Sequence, residues 1–478
     1  VAAERGAPDH RSLTDLRGRP VLVAGAGVSG LAVAEALVEL GALVTVTDGR
    51  ADRLTELPQG ARAEVGLDVP PPGTELVVTS PGWRPDAPLL KASADAGIEV
   101  IGEPELAWRW TAPGGPAAEG PAPRWLAVTG TNGKTTTVGM LESILVTSGR
   151  NAIACGNVGT PVIEAVRAGH RELAVELSSF QLYWSPSLRP AAGCLLNIAE
   201  DHLDWHGGMD GYLTAKARVL TGQVAVAGAD DPLAAGALAA SRAERRIGVT
   251  LGAPARGQLG VVDGTLVDNA FGDGVVELLG VDELPLTGPP AQLDALAAAA
   301  LARSADLTAG EVAAGLRAFR PGPHRGSVVA TVDGVRFVDD SKATNPHAAD
   351  AALSGHRRVV WIAGGQLKGA SVTELIHQHA HRLVGVVLMG TDRAMFGDAL
   401  LRHAPDVPVQ EVLPGEHEPM TDAVRRAAAM AAPGDVVLLA PAAASLDQFT
   451  GYAARGLAFA DAASGLRKSG SGTPSGNR

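Results

Sequence analysis

The sequence predicts an α/β protein built as three consecutive domains, each around its own largely parallel sheet. Three observations lead there. Short apolar runs of strand length alternate with segments of helical periodicity along the chain, and two of these runs end in glycine-rich turns that open helices. Proline- and glycine-rich breakers at 113–123 and 321–326 interrupt the alternation. The 478 residues give length for two to four domains, each able to bury its own core.

The first alternation runs from Pro20 to Asp48 as PVLVAG, AGVSG, LAVAEALVELG and ALVTVTD, one βαβ unit. Further apolar runs at LVVTSPG and IEVIGEPEL complete an open sheet within residues 1–112. Gly25-Ala26-Gly27-Val28-Ser29-Gly30 follows a strand and opens a helix, and Asp48 ends the next strand 18 residues beyond Gly30. This is the pattern of a Rossmann-like dinucleotide fingerprint. A helix N-terminus approached closely by backbone accepts any phosphate or diphosphate, so NAD and a UDP-sugar are both open, as is a tight turn without a ligand.

PGGPAAEGPAP, residues 113–123, carries no periodicity and is expected to be a linker. A second domain is expected over 124–319. There RWLAVTG leads into Gly130-Thr131-Asn132-Gly133-Lys134-Thr135-Thr136 and an apolar helix, and the strands ELAVELSS and AAGCLLNIAEDH follow. A glycine turn between strand and helix, with a lysine for phosphate and a hydroxyl for magnesium, makes a P-loop. The loop is a variant, since Val128 stands where the first glycine of the common spacing would be. Glu176 and His202 sit just past apolar strands, where open α/β sheets place their ligands, as magnesium ligands beside phosphates or, as is commoner for a lone strand-end Glu or His, as solvated or hydrogen-bonded residues. An Ala-rich helix over Leu293–Ser304 closes the domain.

A third α/β domain is expected over 320–466, from VRFVDDSKATN, RRVVWIAGG, LVGVVLMG and DVVLLAPAAAS, with residues 467–478 as a disordered tail. Arg325, Asp340, Lys342, Thr344 and Lys368 recur at its loop positions, as ligands for a triphosphate and a carboxylate or as solvated loop charges.

Composition narrows the function. A formal net charge of -12 argues against binding nucleic acid or an anionic membrane wholesale. No apolar run reaches the roughly 18 residues of a membrane span. The polar N-terminus lacks a signal peptide's apolar stretch. Cys155 and Cys194 are too few for a disulfide framework or a thiolate cluster, so a cytoplasmic location is expected. Of 40 basic residues only Lys91, Lys134, Lys216, Lys342, Lys368 and Lys468 are lysines. Lysine can act as a neutral amine where arginine cannot, which singles out Lys216 in YLTAKARVL, although a surface helix lysine is the ordinary reading.

GTNGKTT, ELSSFQL, NIAEDHLDWH, TAKARVL, GPHR, DDSKATN, AGGQLKG and PAAASLDQF together resemble the Mur ligase family, collinearly from about Val21 to Phe459. DSKATN and SLDQF resemble its D-glutamate-adding branch. The resemblance implies an ATP-dependent amide ligase that adds D-glutamate to UDP-N-acetylmuramoyl-L-alanine through an acyl phosphate, in synthesis of the peptidoglycan precursor, and a monomer. It further implies that Gly130 to Thr136, with Arg325 and Asp340, bind ATP. Thr135 and Glu176 would hold one Mg²⁺, and His202 with a carbamylated Lys216 a second. Lys134, Glu176, His202 and Lys216 form the implied catalytic set. Ser29, Asp48, Arg50, Ser80, Pro81, Gly82 and Asn157 match the family's UDP-substrate site, and Lys342, Thr344, Lys368, Ser445 and Tyr452 its amino-acid site.

The chain departs from the family where a Gly-x-His-Asn-x-x-Asn stretch near adenine reads Gly288-Pro289-Pro290-Ala291-Gln292-Leu293-Asp294. Ser327 and Ala443 replace a usual acidic residue and a usual Cys. A paralogue joining another amino acid to a related carboxylate therefore stays open, as does a nucleotide-sugar sensor without turnover. An NAD oxidoreductase would leave the P-loop unexplained.

Overall fold

The computed structural model describes residues 13–117, 120–413 and 418–469. These form two compact units. One runs through Ile198 and takes in Leu203–Pro285 and Ala291–Phe319; the other takes in Ala199–His202, Leu286–Pro290 and the chain from Arg320.

In the first unit, strands β1 (Pro20–Ala24), β2 (Leu43–Asp48), β3 (Arg62–Val65), β4 (Leu76–Thr79) and β5 (Glu99–Gly102) form an all-parallel sheet in the order 3-2-1-4-5. Val21 to Ala24 and Leu76 to Val78 are buried, as expected of central strands covered on both faces. Helix α1 (Val28–Leu40) starts at the glycine turn and stops at Gly41, whose positive φ of 90° lets its N–H reach the last carbonyls. The order reverses between β1 and β4, and that switch point opens the crevice at the strands' carboxyl ends.

Helices α2 (Pro88–Asp95) and α3 (Glu103–Thr111) lead to a second sheet of nine strands. Its members are β6 (Arg124–Thr129), β7 (Ala152–Gly156), β8 (Glu172–Glu176), β9 (Ala192–Leu195), β10 (Val224–Gly228), β11 (Arg245–Val249), β12 (Gln258–Val262), β13 (Thr265–Asp268) and β14 (Val276–Gly280). Their order is 14-13-12-11-10-9-6-8-7, parallel except for the β12–β13–β14 meander. Helix α4 (Lys134–Thr147) follows β6, and α5 (Val162–Arg167) follows β7.

One hydrophobic cluster spans both sheets, from Val23, Leu37 and Ile101 to Trp125, Ile163 and Leu195. Polar ties reinforce it. Glu103 accepts the Ile163 N–H at 2.7 Å, Glu105 accepts the Ser187 N–H at 3.1 Å, and the Gly102 N–H donates to the Trp184 carbonyl at 2.8 Å. Arg109, buried beside them, holds Glu105 and Glu99 at 2.7 Å each.

The second sheet's remaining helices are α6 (Ser179–Tyr183), α7 (Leu203–His206), α8 (Met209–Ala217), α9 (Pro232–Ala240), α10 (Pro289–Ser304) and α11 (Ala309–Ala318). Helix α10 starts at Pro289, four residues before the expected Leu293, because proline is tolerated in a first turn whose N–H groups lack intrahelical partners.

The second unit carries a sheet of β15 (Ser327–Val332), β16 (Val335–Asp339), β17 (Val359–Gly364), β18 (Leu383–Met389), β19 (Val409–Glu411) and β20 (Val436–Leu439), ordered 15-16-20-17-18-19. All neighbours are parallel except β15 and β16. Helices α12 (Pro346–Ser354), α13 (Thr373–His379), α14 (Arg393–His403), α15 (Pro419–Met430) and α16 (Tyr452–Ser469) complete it. Helix α16 runs through Ser469, so residues 467–469, expected in a tail, are helical; residues 470–478 of that tail lie outside the described residues.

Candidate active site

The P-loop is held from three sides. Thr131 donates its backbone N–H to the Asn197 carbonyl at 3.0 Å, and the Asn197 side chain receives the Asn132 N–H at 2.9 Å and donates back to its carbonyl at 3.2 Å. The Thr131 hydroxyl lies 3.0 Å from the Tyr212 hydroxyl. Gly133 takes a φ of 85°, and a Cβ there would stand 2.2 Å from Asp294 Oδ1. The glycine is thus required both by conformation and by space.

Lys134 folds over this loop, its Nζ donating to the carbonyls of Gly130 at 2.9 Å and Thr131 at 2.8 Å. Lys216 reaches the same place from α8. It is only 2% exposed, contrary to the ordinary reading of a surface helix lysine, and donates to the Gly130 carbonyl at 2.6 Å and lies 3.3 Å from the Thr129 hydroxyl. Its ammonium also lies 4.9 Å from the Tyr212 ring centroid. A buried cation is tolerable because carbonyl, hydroxyl and ring supply what water would. Two of the six lysines therefore meet on one carbonyl oxygen.

Glu176 ends β8, in register with Val128 of the P-loop strand, and is buried. Its backbone carbonyl accepts the Asn157 N–H at 2.8 Å and its Oε1 accepts the Asn157 side-chain amide at 2.9 Å. This fits Mg²⁺, which binds through one or two carboxylates plus phosphate oxygens and water: a buried carboxylate beside a phosphate loop offers a hard oxygen, and the Thr135 hydroxyl lies in the first turn of α4. No group of three or more His, Cys, Asp or Glu side chains suited to a metal occurs among the described residues, so phosphate and water would have to complete such a site. His202, with a positive φ of 54°, lies 3.3 Å from Asp201 and belongs with it to the second compact unit.

The switch point of the first sheet carries Ser29, Asp48 and Ser80 to Gly82 of the expected UDP-substrate residues, whereas Asn157 follows β7 of the second sheet. Ser80 sits across from the glycine turn, its N–H on the Ala24 carbonyl at 2.8 Å, and a Cβ on Gly25 would stand 2.5 Å from its hydroxyl. Pro81 and Gly82 continue the same turn. Gly30 packs so closely that a Cβ would lie 1.8 Å from the Gly25 carbonyl. Ser29 is half-buried in the first turn of α1. Asp48 is occupied by its own neighbourhood: burial would raise its pKa, but N–H donation from Ala26 and Arg50 at 3.0 Å each and the Arg53 guanidinium hold it below the usual range. Arg50 is exposed and paired with Asp52.

In the second unit three loops leave the adjacent carboxyl ends of β16, β20 and β17. Backbone bonds knit them together: Ala442 N–H to the Ala343 carbonyl, Gln366 N–H to the Ala444 carbonyl, and Ala444 N–H back to Gln366, each at 2.9 Å. Lys342, Thr344, Lys368 and Ser445 lie on these loops. Lys342 stands 5.2 Å from the ring centroid of Tyr452, and exposed Lys368 has a positive φ of 52°. Burial and the neighbouring Asp339 raise Asp340 against the opposing Arg325, leaving it at about 7.

Sequence reasoning missed the residues that hold these loops. Arg455, 1% exposed, donates to the Ser341 hydroxyl at 3.0 Å, the Ser341 carbonyl at 2.9 Å and the Ala443 carbonyl at 3.1 Å; burial lowers its pKa to about 10. His324 pairs with Asp339 at 2.6 Å. Asn197, Tyr212 and Asp294 were missed likewise. Asp294 was noted only as a departure, yet it is buried and accepts from the Thr137 hydroxyl of α4 at 3.1 Å. Only burial of Lys216 had a signal in the sequence, the scarcity of lysine.

Comparison with known proteins agrees with this arrangement. Residues 128–302 match the Mur ligase middle domain and residues 324–443 the Mur ligase glutamate ligase domain, while residues 14–94 match the C-terminal domain of alanine dehydrogenase/PNT. The UDP-N-acetylmuramoylalanine--D-glutamate ligase of Mycolicibacterium smegmatis is 52% identical, covering 93% of this chain and 96% of its own. The protein of the same name from Rhodococcus jostii is also 52% identical, over 95% and 97%. Among solved structures, the UDP-N-acetylmuramate-alanine ligase MurC of Thermotoga maritima aligns with a TM-score of 0.56 at 17% identity, covering 95% of this chain and 99% of its own. MurF ligase of the same organism, in complex with ADP, gives 0.57 at 17%, covering 96% and 97%. The structures share the fold, the M. smegmatis and R. jostii proteins share half of all residues across nearly full length, and the chain belongs to the Mur ligase family.

Proposed function

We propose that the protein is an ATP-dependent ligase that joins the amine of D-glutamate to the L-alanyl carboxylate of UDP-N-acetylmuramoyl-L-alanine, in peptidoglycan precursor synthesis. The observation that carries this is the convergence of Lys134 and buried Lys216 on the P-loop carbonyl of Gly130, beside Glu176, in a chain half identical to ligases of that name. The carboxylate oxygen attacks the γ-phosphorus of ATP, expelling ADP and giving an acyl phosphate. The deprotonated amine then attacks the acyl carbon, and the tetrahedral intermediate expels phosphate to leave the amide.

The chain's work in this sequence is largely electrostatic. Gly130 to Gly133 and Lys134 to Thr136 would cradle the phosphates, with Arg325 and Asp340 as further ATP ligands. Thr135 and Glu176 would hold one Mg²⁺, and His202 with carbamylated Lys216 a second; bound Mg²⁺ offsets the repulsion between phosphate and carboxylate. Ser29, Asp48, Arg50, Ser80 to Gly82 and Asn157 would bind the UDP substrate, with Asn157 held by Glu176. Lys342, Thr344, Lys368, Ser445 and Tyr452 would bind D-glutamate. Three functional domains would then correspond to residues 1–112, 124–319 and 320–466, in a monomer. A cytoplasmic setting fits buried, unpaired Cys155 and Cys194, and no helix among the described residues is long and apolar enough to cross a membrane.

The test is phosphate release from ATP and Mg²⁺ with UDP-N-acetylmuramoyl-L-alanine, scanned over D-glutamate, L-glutamate and other amino acids with mass analysis of products. Release that depends on D-glutamate and yields the matching amide supports the reading. Release only with another amino acid would establish the second reading, a specialised paralogue, which the altered stretch ending in Asp294 favours.

A further inference from the structure

The catalytic features lie at the carboxyl ends of the second sheet's strands; the opposite edge carries a cleft of about 520 Å³ that this chemistry does not use. It is lined by residues at or just before the starts of β6, β9, β10 and β11, together with Trp108 of α3. The six residues of β6 separate it from the P-loop by about 20 Å.

Its lining combines flat apolar surface with donors. Trp108 and Trp125 form an edge-to-face pair with centroids 5.5 Å apart. Trp125 is one of two fully buried tryptophans. The other, Trp361, donates its Nε1–H to the Ala440 carbonyl at 2.7 Å, whereas the Trp125 Nε1–H, like those of Trp184 and Trp205, has no acceptor among the described residues. Two guanidinium groups border the cleft. Arg189 spends one nitrogen on the Pro186 and Leu188 carbonyls, and exposed Arg242 makes no hydrogen bond or ion pair among the described residues. Glu244 is the single acidic group in the lining, so cations outnumber it.

We propose that this cleft is a second ligand site, separate from the ATP and UDP-substrate sites, for a small planar aromatic carrying a carboxylate. The ring would lie against half-buried Trp108, which Trp125 backs edge to face from the core, and the anion would face Arg242 and Arg189.

Calorimetric titration with indole-3-acetate tests this, with uncharged indole-3-acetamide as its near-isosteric control. The expected result is saturable binding of one acetate per chain, at least tenfold weaker in Arg242→Glu and for the amide, and unchanged by saturating Mg-ATP. The exposed, unbonded Arg242 makes that variant safe for folding, and a thermal melt superimposing on the unaltered protein's would verify it. Trp108→Ala, which removes the ring face that borders the cleft, is expected to weaken binding as well. No saturable binding, equal affinity in Arg242→Glu, or displacement by Mg-ATP would overturn the proposal.

Discussion

At the scale of single residues, two buried ionisable groups give the sharpest expectations. Lys216 touches the P-loop through one nitrogen, and arginine would keep the charge while lacking an amine that can take up carbon dioxide. Lys216→Arg is therefore expected to lower turnover by about 100-fold or more, the scale of losing one electrostatic stabiliser, while UDP-substrate affinity measured by calorimetry stays within a factor of a few. Glu103 is different in kind. It is 1% exposed, one oxygen accepts the Ile163 N–H, and the other has no partner among the described residues. Burial pushes its pKa up to about 7, with N–H donation from Ile163 and Val162 opposing and Glu164 reinforcing. A carboxyl raised in the folded state contributes stability below its unfolded pKa and loses that contribution as pH rises toward 7. The unfolding free energy of the unaltered protein from urea denaturation, relative to that of Glu103→Gln, should therefore fall between pH 5 and pH 8, by about 3 kcal/mol at most; a flat or rising difference would refute the assignment. Neither Glu103 nor Arg455 was legible in the sequence, because each acts on segments distant along the chain and a charged residue read alone looks solvated.

At the scale of elements, the strand–turn–helix units were legible because their signals are local: apolar runs set the strands, and glycine marks the turns. Of the three glycines of the first turn, Gly27 and Gly30 separate an unconstrained position from one that requires close approach. A Cβ on Gly27 would meet nothing within 4 Å, whereas one on Gly30 would strike the Gly25 carbonyl at 1.8 Å. Alanine normally gains about 1 kcal/mol over glycine inside a helix. Gly30→Ala should nonetheless lose about 3 kcal/mol or more and weaken UDP binding, since α1 must move off β1 or the turn must open. Gly27→Ala, at the N-cap, should cost about 1 kcal/mol or less. Urea denaturation and UDP titration of both variants would check this, and equal effects would count against the close crossing. The capping box at α6, where Ser178 and Gln181 bond reciprocally, likewise fixes the chain just past Glu176. The start of α10 was harder to read, because a Pro-Pro pair suggests a break as readily as a first turn.

At the scale of the whole molecule, alternation announced three sheets, but which of them share a core depends on packing between elements far apart in sequence. The first two share one apolar cluster, reinforced by Glu103, Glu105 and Arg109. They should therefore melt together although they are expected to bind different ligands. Differential scanning calorimetry should show UDP alone and ADP alone each raising the same transition, by the mass action of binding to the folded state; separate transitions answering to separate ligands would contradict a common core. The adjacency of β16, β20 and β17, which brings the 340s, the 360s and the 440s together, was equally hidden, since sheet order follows from crossovers rather than from any local pattern. The carbonyl of Gly130 has one more consequence. It accepts from two ammonium groups, Lys134 and Lys216. Conversion of Lys216 to a carbamate would invert the sign of one of these neighbours, and an anion would be repelled by the oxygen that now attracts it. Carbon dioxide would thus act on the phosphate loop as a charge reversal, breaking one of its two cationic ties before any nucleotide arrives.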